Sequence, residues 1–65
     1  MPEMDKKIRI LEAHLIADGL YYATLAGPSD AVKPTSGIVS GSIFIESDTA
    51  TVLVFDETGE SWNAF

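Results

Sequence analysis

Few side chains in this sequence have the types and spacing that chemistry requires. His14 is the only histidine, and the chain contains no cysteine. A catalytic triad would need His14 as the base for a serine, but no serine stands in a nucleophile-elbow motif. Without cysteine, disulfides and thiolate metal sites are excluded, and one imidazole argues against structural zinc. We therefore expect no catalytic residue, no metal and no cofactor.

Two other stretches contain groups that bind ions in other proteins. Asp56, Glu57 and Glu60 carry carboxylates, but their spacing does not match the alternating ligands of a twelve-residue calcium loop. The stretch AGPSD, residues 26–30, lacks the Gly-Lys-Ser/Thr of a phosphate-binding loop. A chain of 65 residues also has little volume for a catalytic cleft. The sequence thus predicts a protein that is not an enzyme.

Charge limits the classes of partner. The formal net charge is −6, and residues 34–65 contain five acids and no base. Such a chain repels phosphate, so we expect no nucleic-acid partner. No segment approaches the ~20 apolar residues of a membrane span, and the start, MPEMDKK, lacks the order of a secretory signal. We expect no membrane partner and synthesis in a cytoplasm.

The length predicts a single domain, residues 1–65, that needs help from another chain. A fold of this size buries only roughly 60% of the surface that its unfolded chain exposes. Small folds compensate with disulfides, a metal or association. Since the first two are excluded here, association with other protein chains is the remaining route.

The C-terminal part, residues 42–65, reads as an antiparallel meander with strands at 42–46, 51–56 and 61–65. Residues 47–50 connect the first two strands, and Gly59 in DETGES is expected at positive φ in the second turn. β-Branched and aromatic pairs favour one register. That register aligns Ile43 with Val54, Phe44 with Leu53, Ile45 with Val52 and Glu46 with Thr51.

The N-terminal part, residues 1–26, has two interpretations, and a loop at 27–41 follows it. Met4, Ile8, Leu11 and Leu15 fall on one helical stripe, which predicts a short helix over 4–17 and a strand over 20–25. A further hairpin is the other interpretation. Ile8 and Ile10 alternate with charged residues, as in a strand, and Asp18-Gly19 is a hairpin turn signal. We favour the hairpin. The fold class is mainly β in either case.

Both faces of the 42–56 hairpin are apolar, and we expect one of them to meet a partner. The β-branched face of Ile43, Ile45, Val52 and Val54 would pack as a layer against Leu20 and Tyr22 of the N-terminal half. In this assignment the larger aromatic face is the interface, since monomers seldom expose large apolar patches. Alternation alone leaves the reverse assignment of the two faces open. The interface candidates are Phe44, Leu53, Phe55, Trp62, Phe65 and Tyr21.

Residues 33–62, KPTSGIVSGSIFIESDTATVLVFDETGESW, resemble a pattern in small structural and fibre-type proteins of tailed bacteriophages. The pattern reads P-T-x-G, G-S-x-F, D-T, V-x-F-D, G and W, and it covers about half of the chain. Its positions here are Pro34, Thr35, Gly37, Gly41, Ser42, Phe44, Asp48, Thr49, Val54, Phe55, Asp56, Gly59 and Trp62.

The resemblance implies a component of the virion: a capsid decoration, a fibre base, or a tail or adaptor protein. Such a protein would bind other copies of itself, or capsid or tail proteins, and would have no catalytic residues. The alternative is a small acidic phage- or prophage-borne protein that binds and inhibits a host protein, since an acidic surface can occupy a basic site.

Overall fold

The computed structural model describes residues 4–65, which form one five-stranded sheet and no helix. The strands follow one another across the sheet in chain order. The prediction of a mainly β fold is confirmed. The strands are β1 (Arg9–Ala17), β2 (Leu20–Gly27), β3 (Ile43–Glu46), β4 (Thr51–Asp56) and β5 (Ser61–Ala64).

The N-terminal half forms the hairpin, and the helix over 4–17 does not form. β1 and β2 pair antiparallel, and Gly19 turns the chain between them at φ 75. The register shifts after Ile10 and again after Leu15, so Leu11 and Ile16 are bulge residues. A bulge sets two residues of one strand opposite one residue of its partner. The strand therefore accommodates the apolar pairs 10–11 and 15–16, which do not fit a strict alternation.

The meander has the predicted register. Val54 lies opposite Ile43, and Val52 lies opposite Ile45. β5 pairs with β4, and Trp62 is the partner of Phe55. Residues 47–50 form the connection, with Ala50 at φ 56.

The conformation expected for the second turn is wrong. The residue at positive φ is Glu60, at 51°, and not Gly59. The side chain of Asp56 accepts the Thr58 N–H at 3.0 Å, and Glu60 N–H donates to the Glu57 carbonyl oxygen at 3.3 Å. With these bonds the left-handed step back into β5 falls one residue later than expected, at Glu60.

The two hairpins join through a parallel pairing of β2 with β3. Thr24 lies opposite Ile43, and Leu25 lies opposite Phe44. Near the start of β2, Tyr21 N–H donates to the Gly37 carbonyl oxygen, and Val39 N–H donates to the Tyr21 carbonyl oxygen, each at 2.9 Å. The N-terminal half is thus part of the same sheet and not a second layer.

The side of the sheet that carries Phe44 faces the core, which reverses the expected faces of the hairpin. Phe44 and Leu25 are fully buried, while Val52 on the opposite face is 37% exposed. The physical reason lies in the crossover, residues 28–42. Ala31 and Ile38 of this crossover belong to the same buried cluster as Phe44 and Leu25, so the crossover completes the core on the aromatic side of the sheet.

Candidate interaction surface

Three of the six interface candidates form one aromatic cluster inside the molecule. Phe44 is 0% exposed and Phe55 is 2% exposed. Trp62 packs edge-on against Phe44, with ring centroids 5.9 Å apart, and lies 5.0 Å from Phe55. The Trp62 Nε1–H donates to the Pro34 carbonyl oxygen at 2.8 Å, which ties β5 to the crossover. The assignment of Phe44 and Phe55 to an exposed interface is therefore wrong.

The other three candidates differ in exposure. Leu53 and Tyr21 are partly buried and pack against the core. Phe65, which follows β5, is 95% exposed. The structure therefore does not bring the six candidates together on one surface, and Phe65 alone among them is freely accessible.

Polar contacts hold the loops. The Ser29 hydroxyl donates to the Asp48 carboxylate at 2.8 Å, and the Ser29 N–H donates to it at 3.0 Å. Chiefly because of the hydroxyl bond, the pKa of Asp48 lies below its ordinary value. Backbone N–H donors of Lys7 and Val32 likewise lower the pKa of Asp5. These carboxylates are occupied in fixing the chain path.

The crossover is also anchored at Lys33. Its Nζ lies 3.1 Å from a carboxylate oxygen of Glu46, and both side chains are only 14% exposed. The same Nζ lies 4.7 Å from the centre of the Phe44 ring. Lys33 thus packs against the aromatic cluster while Glu46 pairs with its charge, so its role is structural.

The geometry shows little that could act on a small molecule. His14 Nε2 lies 3.2 Å from Glu12 Oε2, and both side chains are well exposed to solvent. Two open, shallow cavities of ≈ 240 and ≈ 300 Å³ lie near the ends of the sheet. Within residues 4–65, no group of three His, Cys, Asp or Glu side chains could hold a metal ion. A candidate interaction surface lies elsewhere, on the exposed side chains of one strand.

That surface is β1, an edge strand whose nine residues are all exposed. Its four large apolar side chains are Ile10, Leu11, Leu15 and Ile16, with exposed fractions of 50%, 57%, 63% and 60%. Sequence reasoning missed this surface because it placed the interface on the meander. The available signal was the pair of apolar doublets, since a half-buried strand alternates and these positions do not.

The backbone of β1 is also available for pairing. The N–H of Ala23 points toward β3, because it donates to the Ser42 hydroxyl at 3.1 Å. Tyr21 uses its N–H and C=O on that same side of β2. In an antiparallel ladder, alternate residues turn their polar groups to alternate sides. Ala13, which lies opposite Ala23, therefore directs its own N–H and C=O away from β2 and toward the open edge.

Acidic groups gather at one end of the sheet. The β1–β2 turn contains Asp18, and the β4–β5 turn follows Asp56 and contains Glu57 and Glu60. The topology places both turns at the same end, and no lysine or arginine of the described residues lies in these turns. Lys7, Arg9 and Lys33 belong to the opposite end.

The chain matches no protein-family model, no curated protein and no solved structure. In the described part of the chain, there is no helix with the length and apolarity needed to cross a lipid bilayer.

Proposed function

We propose that this protein is a non-enzymatic structural component of a bacteriophage particle that works by binding other protein chains. The observation that carries the proposal is β1, which combines half-exposed leucines and isoleucines with a backbone edge open to pairing. Peptide and protein partners bind such edges by adding a strand, where main-chain hydrogen bonds supply affinity and alternate side chains supply specificity.

The energetics of a small fold support this role. Among residues 4–65, the fully buried side chains above alanine in size are few, namely Phe44, Leu25 and Ser42. Soluble proteins usually protect an edge strand with lysine, proline or a short length, because an open edge invites association. β1 is instead long, and four of its nine residues are leucine or isoleucine. An edge of this kind is typical of a strand that is covered in the working assembly. The phage-like pattern at residues 33–62 supports a virion as that assembly.

The test is quantitative mass spectrometry of phage particles purified from cells that produce this chain. We expect the chain in the particles at many copies, at a fixed ratio to the major capsid protein. A chain that is abundant in the lysate and absent from washed particles would overturn the virion role.

A second candidate is a small acidic protein that binds and inhibits a host protein. The observation in its favour is the separation of charge, with the carboxylates of Asp18, Asp56, Glu57 and Glu60 at one end. Like-signed groups at one end steer a molecule toward a basic surface. This candidate predicts the opposite result in the experiment above: absence from particles, together with a salt-sensitive complex with one basic host protein.

A further inference from the structure

The sequence of β1, RILEAHLIA, is complementary to itself when two copies run antiparallel. We propose that the partner at β1 is a second copy of this chain, paired strand to strand about a two-fold axis at Ala13. The inference rests on the proposed function, because it names the partner that binds at β1. It joins two five-stranded sheets into one of ten strands. The pairs are Ala13 with Ala13, Glu12 with His14, Leu11 with Leu15, Ile10 with Ile16, and Arg9 with Ala17.

The side-chain chemistry favours this register over its neighbours. Each leucine or isoleucine lies opposite another, and Glu12 of each copy lies opposite His14 of the other. A shift of two residues in one direction sets Glu12 opposite itself and Ile10 opposite His14, and directly opposed like charges destabilise a strand pair. A shift of two in the other direction sets Glu12 opposite Ile16. Odd shifts turn each side chain to the wrong face.

The bulges obey the same symmetry. One bulge involves residues 10–11 and the other involves residues 15–16. The two-fold axis at Ala13 places the first bulge of one copy opposite the second bulge of the other. Each bulge distorts and twists its strand locally. Because the four bulges of the dimer face each other in two pairs, they interrupt the ladder at two places and not at four.

The backbone meets the hydrogen-bonding requirement at the axis. Ala13 directs its N–H and C=O to the open edge, so the two Ala13 residues can exchange both bonds of a hydrogen-bonded pair. Neither bond competes with the β1–β2 ladder, because Ala13 does not use these groups within its own chain. The pairing thus adds hydrogen bonds at the centre without removing any.

The size of the edge suits a stable dimer. Nine residues at ~3.4 Å per residue span about 30 Å, close to the longest extent of the molecule, 33 Å. Isologous pairing also closes on itself and leaves only the four-residue β5 at each outer edge.

Cysteine cross-linking tests the register, because the chain has no cysteine of its own. In Ala13→Cys the two thiols lie across the axis, where Cα atoms of a hydrogen-bonded pair are ~5.5 Å apart and within disulfide range. Ala17→Cys is the matched control on the same strand, and its two Cα atoms would be about 27 Å apart. Under mild oxidation we expect Ala13→Cys to form a covalent dimer at least tenfold faster than Ala17→Cys. Equal rates would overturn the register.

Light scattering during size-exclusion chromatography tests the dimer itself. We expect a dimer of the 7.0 kDa chain. Ala13→Pro removes the outward N–H, and prolines are tolerated in edge strands where that N–H faces solvent. It should give a monomer whose circular dichroism keeps the β signal, with a dissociation constant raised at least a hundredfold. The proposal would be overturned if the parent chain stayed monomeric over a 100-fold range of protein concentration.

A second pair of variants keeps the test valid if Ala13→Pro fails to fold. His14→Glu sets two carboxylates opposite each other on both sides of the axis, whereas His14→Lys sets an ammonium group opposite each Glu12 carboxylate. We expect His14→Glu to dissociate the dimer at least tenfold more than His14→Lys, with unchanged circular dichroism. Equal dissociation of the two would contradict the Glu12–His14 pairing. Open polymers instead of dimers would indicate β1–β5 pairing and overturn the two-fold arrangement.

The outcome is separable from that of the proposed function. A monomer in solution that is present at many copies in particles would refute the dimer and leave the structural role intact. A dimer with the expected cross-link that is absent from particles would refute the virion role and leave the dimer intact.

Discussion

At the scale of single residues, two kinds of position affect stability most directly: backbone in the left-handed region, and buried polar groups. Ala50 and Glu60 have positive φ, at 56° and 51°. A residue with a Cβ atom is strained there by about 1–2 kcal/mol, whereas glycine is not. Ser42 is polar and 0% exposed, and it is the partner of a backbone N–H.

Glu60→Gly should stabilise the protein. The substitution relieves the strain at φ 51, and we expect the free energy of unfolding to rise by ~0.5–1 kcal/mol in urea. Thr58→Gly is the control in the same turn, because Thr58 does not have positive φ. It should lower that free energy. A loss of stability in Glu60→Gly as large as in Thr58→Gly would contradict the assigned turn.

Ser42→Ala should destabilise the protein by ~1–3 kcal/mol, because it leaves the Ala23 N–H buried without an acceptor. Equilibrium urea unfolding measures the change. Ser36→Ala, at an exposed loop position, is the control and should stay within ~0.5 kcal/mol of the parent. Equal effects of the two substitutions would show that Ser42 does not satisfy this donor.

Acid should weaken the loops. The pKa values of Asp5 and Asp48 are lowered in the folded state from an ordinary 3.8. Their contribution to stability is therefore complete above pH ~4 and declines as the pH falls through the folded-state pKa values. Unfolding measured between pH 7 and pH 2 should show this decline. The double variant Asp5→Asn, Asp48→Asn should show a flatter curve below pH 4, and identical curves would contradict the linkage.

At the scale of elements, the two faces of β3 should respond differently to truncation. Phe44→Ala empties the centre of the aromatic cluster and should cost about 3–5 kcal/mol. Ile45 lies on the half-exposed face, so Ile45→Ala should lower the free energy of unfolding clearly less. We expect thermal unfolding to show a folded baseline for Ile45→Ala and a much lower midpoint, or no baseline, for Phe44→Ala. Equal midpoints would mean that both faces are covered.

The elements also show which features can be predicted from the sequence. The β3–β4 register follows from local pairs across a short connection, and it was predicted residue by residue. Residues 4–17 are compatible with both a helix and a strand. The apolar doublets at 10–11 and 15–16 place apolar residues at the spacing of a helix as well as at that of a strand. The parallel β2–β3 pairing carries no local signal. It depends on contacts across the crossover, such as Tyr21 with Gly37.

The buried face and the candidate surface were beyond prediction for related reasons. Both faces of β3 are apolar, so alternation alone does not decide between them. The decision rests with Ala31 and Ile38, which belong to a loop whose path the pattern does not reveal. The exposure of Leu11 and Leu15 likewise follows from the position of β1 at the edge, which requires the strand order to be known.

At the scale of the whole molecule, the charges and the open edge have one combined consequence. Four of the acids, Asp18, Asp56, Glu57 and Glu60, lie at one end of the sheet, and β1 runs along its side. A two-fold axis at Ala13 would direct the acidic ends of the two copies in opposite directions. The repulsion between them would then be small, because charges separated by more than ~10 Å are largely screened at ordinary salt. The proposed dimer is thus compatible with a net charge of −6 per chain.

The parallel crossover also imposes an order in time on folding. The β1–β2 hairpin is complete in the growing chain before its neighbour exists, since Thr24 pairs with Ile43, nineteen residues later. Synthesis at ~5–20 residues per second makes this a delay of roughly 1–4 s. Throughout that interval, Leu25 lacks Phe44 to cover it, and the hairpin has two open edges instead of one. Closure of the β2–β3 pair, a contact between distant parts of the chain, is therefore the step that we expect to limit the folding rate.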